Sequence, residues 1–156
     1  MEQSNKPRKE LVVSAIENGT VIDHIPTQSV FQVIHILNLE KFDNQIVIGT
    51  NLSSSKYGKK GIIKVSNKFF EPEEINKIAL VAPTATLIVI KNFLVTEKKK
   101  VEIPETIQKF VKCVNPNCIT NIENVPTKFN VIDKEESKLK CFYCEKTTEK
   151  KNMVFK

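Results

Sequence analysis

Glycine is scarce in this chain: four residues in 156. None of the four builds a Walker loop or a Gly-x-Gly-x-x-Gly turn, so a bound phosphate would have to be held by side chains. A Gly-x-Ser-x-Gly elbow is absent as well. Histidine occurs only at His24 and His35. His35 lies inside an apolar helical pattern and reads as a packing or surface residue. Neither a general base nor a metal-activated water can be assembled from what is present, which speaks against an enzyme. Aromatic residues make up 7% of the chain and no stretch is rich in arginine, which weighs against a nucleic-acid binder. No apolar run approaches the roughly 20 residues needed to cross a bilayer. The N-terminal segment MEQSNKPRKE lacks the apolar centre of a signal peptide. A cytoplasmic protein is expected, in a compartment where thiols stay reduced.

What is present has a globular balance, 40% apolar and 27% charged. The length allows one ordinary domain or two small ones. The net charge of +6 permits nucleotides, nucleic acid or an acidic protein face as partners and does not choose among them. Residues 11–16 read as a strand, Asn18-Gly19 as a turn, and residues 20–25 as a second strand stopped by Pro26. Thr27 is placed to cap a helix whose apolar face carries Val30, Phe31, Val33, Ile34 and Leu37. Residues 45–52 and 62–65 read as strands either side of the polar loop SSSKYGKKG. Pro72, Glu73 and Glu74 open a second helix, with Ile75, Ile78 and Ala79 facing inward and Pro83 beyond its end. Residues 86–90 form a buried strand that Phe93 and Val95 extend. With the first strand doubled as a hairpin, the pattern predicts an α+β fold: an N-terminal ferredoxin-like antiparallel sheet with two helices on one face. The segment EKKKVEIPE reads as a linker, giving domains at 1–104 and 105–156.

All four cysteines fall beyond that linker. Cys113 and Cys118 bracket VNPN, Cys141 and Cys144 bracket Phe142-Tyr143, and 22 residues separate the pairs. A segment of about fifty residues can hardly bury enough apolar surface to fold unaided. Two short loops that each aim two thiolates at one point supply the staple. The spacing predicts one structural zinc ion in a small all-β zinc-ribbon (rubredoxin-like) domain. Two disulfides, four unrelated buried thiols and an iron–sulfur cluster are the alternatives. For the whole chain, the rivals are a zinc-ribbon protein that binds nucleic acid and an enzyme using a nucleotide pocket.

The segments TVIDHIP (20–26), IGTNL (48–52), IIKV (62–65), LVAPTAT (80–86) and CVNPNC with CFYCEK resemble, in order and spacing over nearly the whole chain, the regulatory chain of aspartate carbamoyltransferase. The resemblance implies a non-catalytic subunit. Its N-terminal domain would bind CTP and ATP as allosteric effectors, with UTP acting beside CTP in some members. Its zinc domain would dock on the catalytic chain. Regulatory homodimers would join catalytic trimers into a heterododecamer that controls pyrimidine biosynthesis, with no nucleic-acid or membrane partner. The resemblance puts Asp23 at ribose, His24 at phosphate, and Lys64 at ribose and base. It puts Lys98 at the triphosphate, with Lys99 and Lys100 competing for that register. Backbone groups at Ala15, Ile16 and Phe93 would read the base. Val13, Val21, Ile90 and Val95 would line the walls while also serving as core. Asn115, Asn117, Glu123, Tyr143 and Lys146 match docking positions. Phe93 stands where relatives often have Tyr, and Ile88 where Asn can occur. Glu10 and Ser14 differ as well, which leaves effector preference open.

Overall fold

A computed structural model describes residues 15–156. Of the strand expected at 11–16, only Ala15 and Ile16 are described, and neither is in a strand; Glu10, Val13 and Ser14 lie outside the described residues. The first half contains β1 (Gly19–Ile25), α1 (Val30–Ile36), β2 (Ile46–Ser54), β3 (Gly58–Ser66), α2 (Pro72–Val81), β4 (Thr86–Lys91) and β5 (Leu94–Lys100). The strands form one sheet in the order β2-β3-β1-β4-β5, with every neighbour antiparallel. This is the expected ferredoxin-like arrangement with one strand added at an edge.

The added strand is not where the sequence suggested. β1 is hydrogen-bonded on both sides, to β3 and β4, so it has no free edge for a hairpin partner. The doubling occurs at β4. Asn92 and Phe93 both take positive φ, 53° and 65°, and reverse the chain in a two-residue turn that pairs Lys91 with Leu94. Phe93 and Val95 therefore do not prolong β4; they turn it back. Residues 97–100, which read as linker, are the far half of β5. Immediately after it, Val101 and Ile103 are buried.

Both helices cover one face of the sheet. Ile22, Ile63, Val65 and Leu87 meet Val30, Val33, Ile78 and Val81 in one core. Gly61 allows α1 to approach β3 closely: a Cβ there would run into Val30 Cγ2. Phe31, expected on the inner face of α1, points outward and is 68% exposed. Thr27 does not cap α1. It begins a 3-10 turn at Thr27–Ser29, and its hydroxyl donates to Asn51 Oδ1 while accepting from the Asn51 N–H. α2 starts at Pro72 as expected, and Glu71 and Glu74 close a capping box over its first turn.

The second half contains β6 (Thr106–Gln108), β7 (Val111–Lys112), α3 (Ile119–Ile122), β8 (Lys128–Asp133), β9 (Lys138–Cys141), β10 (Thr147–Thr148) and β11 (Val154–Phe155). A four-stranded sheet runs β10-β9-β8-β6, and β11 pairs with β7. Ile107, Phe129 and Leu139 are fully buried between these strands. This small β domain with four clustered cysteines fits the expected zinc-ribbon class. Its core is continuous with that of the first half through Val101, Ile103, Phe110 and Val111. The Lys77 ammonium of α2 lies 5.6 Å above the Phe110 ring. Among the described residues, no helix is long and apolar enough to cross a membrane.

Candidate functional sites

The four sulfurs of Cys113, Cys118, Cys141 and Cys144 lie within 4.8 Å of one another. Cys113 follows β7, Cys118 precedes α3, Cys141 ends β9, and Cys144 sits in the turn beyond it. Two of the separations join different loops, Cys113 to Cys144 at 3.6 Å and Cys118 to Cys141 at 3.7 Å. Disulfides are excluded by those distances, since bonded sulfurs stand about 2.05 Å apart. With metal–sulfur bonds of about 2.3 Å, the corners of a tetrahedron lie roughly 3.8 Å apart, so the cluster has the size of a tetrathiolate metal centre.

Backbone amides of both loops aim at the sulfurs. Burial pushes the Cys113 thiol up to about 12, against a hydrogen bond from the Asn115 backbone. Burial also raises Cys141, against the backbone N–H groups of Cys144 and Tyr143. For Cys118 the cost of burial is outweighed by the hydroxyl and backbone of Thr120, and the thiol is lowered. For Cys144 it is outweighed by the Lys146 backbone and the Asn115 side chain, and the thiol comes down to about 7. A metal ion must displace the remaining protons, and the amides then stabilise the thiolates. Sequence reading missed Asn121, whose amide donates to the carbonyls of Cys113 and Asn115 at 3.0 and 2.7 Å and so pins the first loop.

Asn115, Asn117, Tyr143 and Lys146 lie on these loops, and Glu123 follows α3. Asn117, Glu123, Tyr143 and Lys146 are exposed, and Asn115 is half-buried. Exposed Ile122 and Phe142 stand among them.

The second candidate site is the sheet face that the helices leave open. Cross-strand registers align Val47, Lys64, Val21, Ile88 and Lys98 in one row over five strands. Ile90 sits opposite Val95 in the next pair on the same face. Ile16, Val21 and Ile62 form a second apolar cluster here, with Ile88 and Ile90 packed against it. Ile16, Val21, Lys64, Ile90, Val95 and Lys98 thus share one surface, and Asp23 joins them by alternation from Val21. Burial lowers the pKa of Lys64, and the negative charge of Asp23 works against that shift. Asp23 also accepts from Lys60 Nζ at 2.8 Å and from the His24 N–H at 2.7 Å. Lys60 was not singled out from the sequence, although its even spacing from Lys64 along a strand was the available signal.

The strand period separates the three adjacent lysines of β5. Lys98 and Lys100 stand opposite Ile88 and Thr86, on the open side. Lys99 points to the helix side, where it joins Thr20 and Leu87 around a separate cavity. His24 departs from the row. A register irregularity between Ile22 and Ile25 and a φ of 56° turn its ring to the end of β1. There Nδ1 lies 3.2 Å from Thr86 Oγ1, and the ring meets Tyr57 edge-on. Ala15, Ile16 and Phe93 gather at the opposite end, around a cavity of about 350 Å³. The Phe93 N–H is already committed to the Glu17 carbonyl at 2.9 Å.

Comparison with known proteins places both halves of the chain in one family. A family model for the aspartate carbamoyltransferase regulatory chain, allosteric domain, matches residues 11–102. One for the metal binding domain of that regulatory chain matches residues 105–154. The chain is 54% identical over 147 residues to the aspartate carbamoyltransferase regulatory chain of Pyrococcus horikoshii, covering 93% of this chain and 97% of that one. It is 55% identical over 148 residues to that of Thermococcus sibiricus, covering 95% and 97%. It is 49% identical over 153 residues to that of Parabacteroides distasonis, covering 98% and 99%.

Proposed function

The chain belongs to the family of aspartate carbamoyltransferase regulatory chains, and from that premise we propose that its open sheet face binds CTP and ATP as competing effectors, with UTP acting beside CTP. It is a regulatory chain with an allosteric and a metal-binding part, not a catalytic one. The observation that carries the effector reading is the meeting of Lys60, Lys64, Lys98 and Lys100 with the apolar cluster of Ile16, Val21 and Ile62 on one sheet face, where Lys60 pairs with Asp23. Cations at one end suit a triphosphate. Ile16, Val21, Ile90 and Val95 offer an apolar bed for a nucleoside, with Asp23 within reach of ribose hydroxyls. Main-chain carbonyls at Ala15, Ile16 and Phe93 can accept from the exocyclic amino group that adenine and cytosine share. Discrimination then rests on base size and on how far the nucleotide spreads the strands. His24, at the end of β1, is the proposed phosphate contact furthest from the base.

The metal in this proposal is Zn²⁺, held by Cys113, Cys118, Cys141 and Cys144. Four sulfur ligands leave no position for water or substrate, so the ion is structural. It fixes the loops carrying Asn115, Asn117, Glu123, Tyr143 and Lys146, the proposed surface for the catalytic chain. Residues 1–104 and 105–156 form the two functional modules. Paired regulatory chains would link catalytic trimers in the cytoplasm and tune the committed step of pyrimidine synthesis. Effectors act by binding the two states of that assembly unequally, with couplings of about 1–3 kcal/mol. β5 offers a direct route: it borders the effector face and runs straight into Val101 and Ile103, in the core shared with the metal module.

Titration calorimetry tests the effector site. Lys98→Ala removes a charge-assisted phosphate contact and should weaken CTP and ATP alike, by about tenfold or more. Unchanged affinity for both would remove Lys98 from the site. Aspartate saturation curves of the chain mixed with catalytic trimers, with and without each nucleotide, test the regulatory role.

A further inference from the structure

The first sheet is wider than the layer of helices on it. Two helices packed side by side span roughly 20 Å, about the width of four strands spaced roughly 4.8 Å apart. The core beneath α1 and α2 draws on β1, β3 and β4, with Ile46 of β2 at its margin, while every residue of β5 is exposed. β5 therefore projects past the helices as a ledge. Along that ledge, on the helix side, lies a cavity of about 270 Å³. Leu87 and Val89 give it an apolar floor, and the segment between β3 and α2 supplies a wall of two rings, Phe69 and Phe70. That segment is tied down, because the Thr20 hydroxyl donates to the Lys68 carbonyl at 2.6 Å. The Phe69 ring is 45% exposed, and the Lys91 ammonium stands 5.5 Å from its centre. On the β5 side Lys99 and Glu97 lie 4.0 Å apart, so each offsets the charge of the other.

We infer that this cavity is a second small-molecule site, separate from the open face, and that it takes a planar aromatic carboxylate with a single negative charge. Size sets the first limit. A cavity of about 150 Å³ accommodates benzene, so the space here suits one or two fused rings with a short acidic arm. The flat apolar body lies on Leu87 and Val89 and meets the Phe69 ring in an offset or edge-on contact. The carboxylate meets Lys91, whose ammonium is held at the cavity by the same ring. Glu97 sets the charge: one carboxylate can face Lys91, whereas a triphosphate would be repelled from the β5 side. None of these side chains belongs to the open face, so the site does not depend on the nucleotide reading. It does share that face's strands, since Ile88 and Lys98 point to one side of β4 and β5 and Val89 and Lys99 to the other.

Chemical-shift mapping on the metal-loaded full chain tests this, with indole-3-carboxylate as the probe and indole-3-carboxamide as its neutral counterpart. The carboxylate should shift the backbone amides of Phe69, Phe70, Val89 and Lys91, with a dissociation constant in the millimolar range expected of so small a ligand. The carboxamide should bind about fivefold more weakly. Lys91→Gln and Phe69→Ala, both at exposed positions, should each weaken the carboxylate about fivefold, and saturating CTP should not displace it. Absence of these shifts, equal affinity for the two probes, or an affinity that neither substitution changes would overturn the assignment. Displacement by CTP would put the probe on the open face and overturn it as well.

Discussion

Phe93 holds a position that glycine fills best. Both turn residues of the β4–β5 hairpin have positive φ, and a bulky side chain there costs on the order of 1–3 kcal/mol. The ring recovers little by packing, being 65% exposed. Phe93→Gly should therefore raise stability by about 1 kcal/mol after the entropy cost of glycine, a shift of about 3 °C in thermal unfolding. Nucleotide affinity should move the other way. A variant that lost both stability and binding would show that the ring serves the fold. At this scale the cysteines were legible in the sequence, because metal coordination fixes residue type and spacing together. The turning of His24 was not, because it follows from a register irregularity that no local pattern encodes. Lys60 was missed because it read as part of the polar loop, so its even spacing from Lys64 on β3 was not used, and its pairing with Asp23 shows only in the structure.

At the level of elements, apolar periodicity gave both helices and the strands of the first sheet. It failed where charge hid a strand. Residues 97–100 looked like linker because β5 is an edge strand with every residue exposed, so it shows no apolar alternation. Its pairing partners lie on β4, not in its own composition. The outward Phe31 shows a similar limit: a five-residue apolar pattern does not tell which residue lies beyond the buried arc. Packing of α1 on the sheet depends on a position the pattern did not mark. Gly61→Ala would press a methyl into Val30 and should destabilise the chain by about 1–3 kcal/mol. Denaturant unfolding would show it as a lower midpoint with an unchanged slope, and a midpoint that did not move would mean that α1 shifts freely.

The described residues form three sheets, of five, four and two strands, and one apolar core runs through both halves. The sequence suggested a linker between modules; the structure has Val101 and Ile103 buried in that place. A short charged stretch reads alike whether it spans solvent or borders a sheet, so this difference could not be read in advance. Cys141→Ala removes one of four ligands and should release the metal and disorder both loops. Association with catalytic trimers, followed by size-exclusion chromatography, should be lost, while nucleotide binding survives in part. A large assembly that persisted in this variant would place the docking surface elsewhere. Because Phe110 and Val111 belong to the shared interior, the same change should also lower the unfolding temperature of the first half. Two fully independent transitions would contradict that.

The outer rim of the first sheet ends in Glu97, Lys98, Lys99 and Lys100. An unpaired rim is a template on which foreign strands can zip, and consecutive like charges are a common guard against it. Two of those ammonium groups, Lys98 and Lys100, belong to the proposed effector face. Occupying them with an anion, or screening them with concentrated salt, would strip the rim of its protection, so an effector bound as proposed would also govern how readily isolated copies clump.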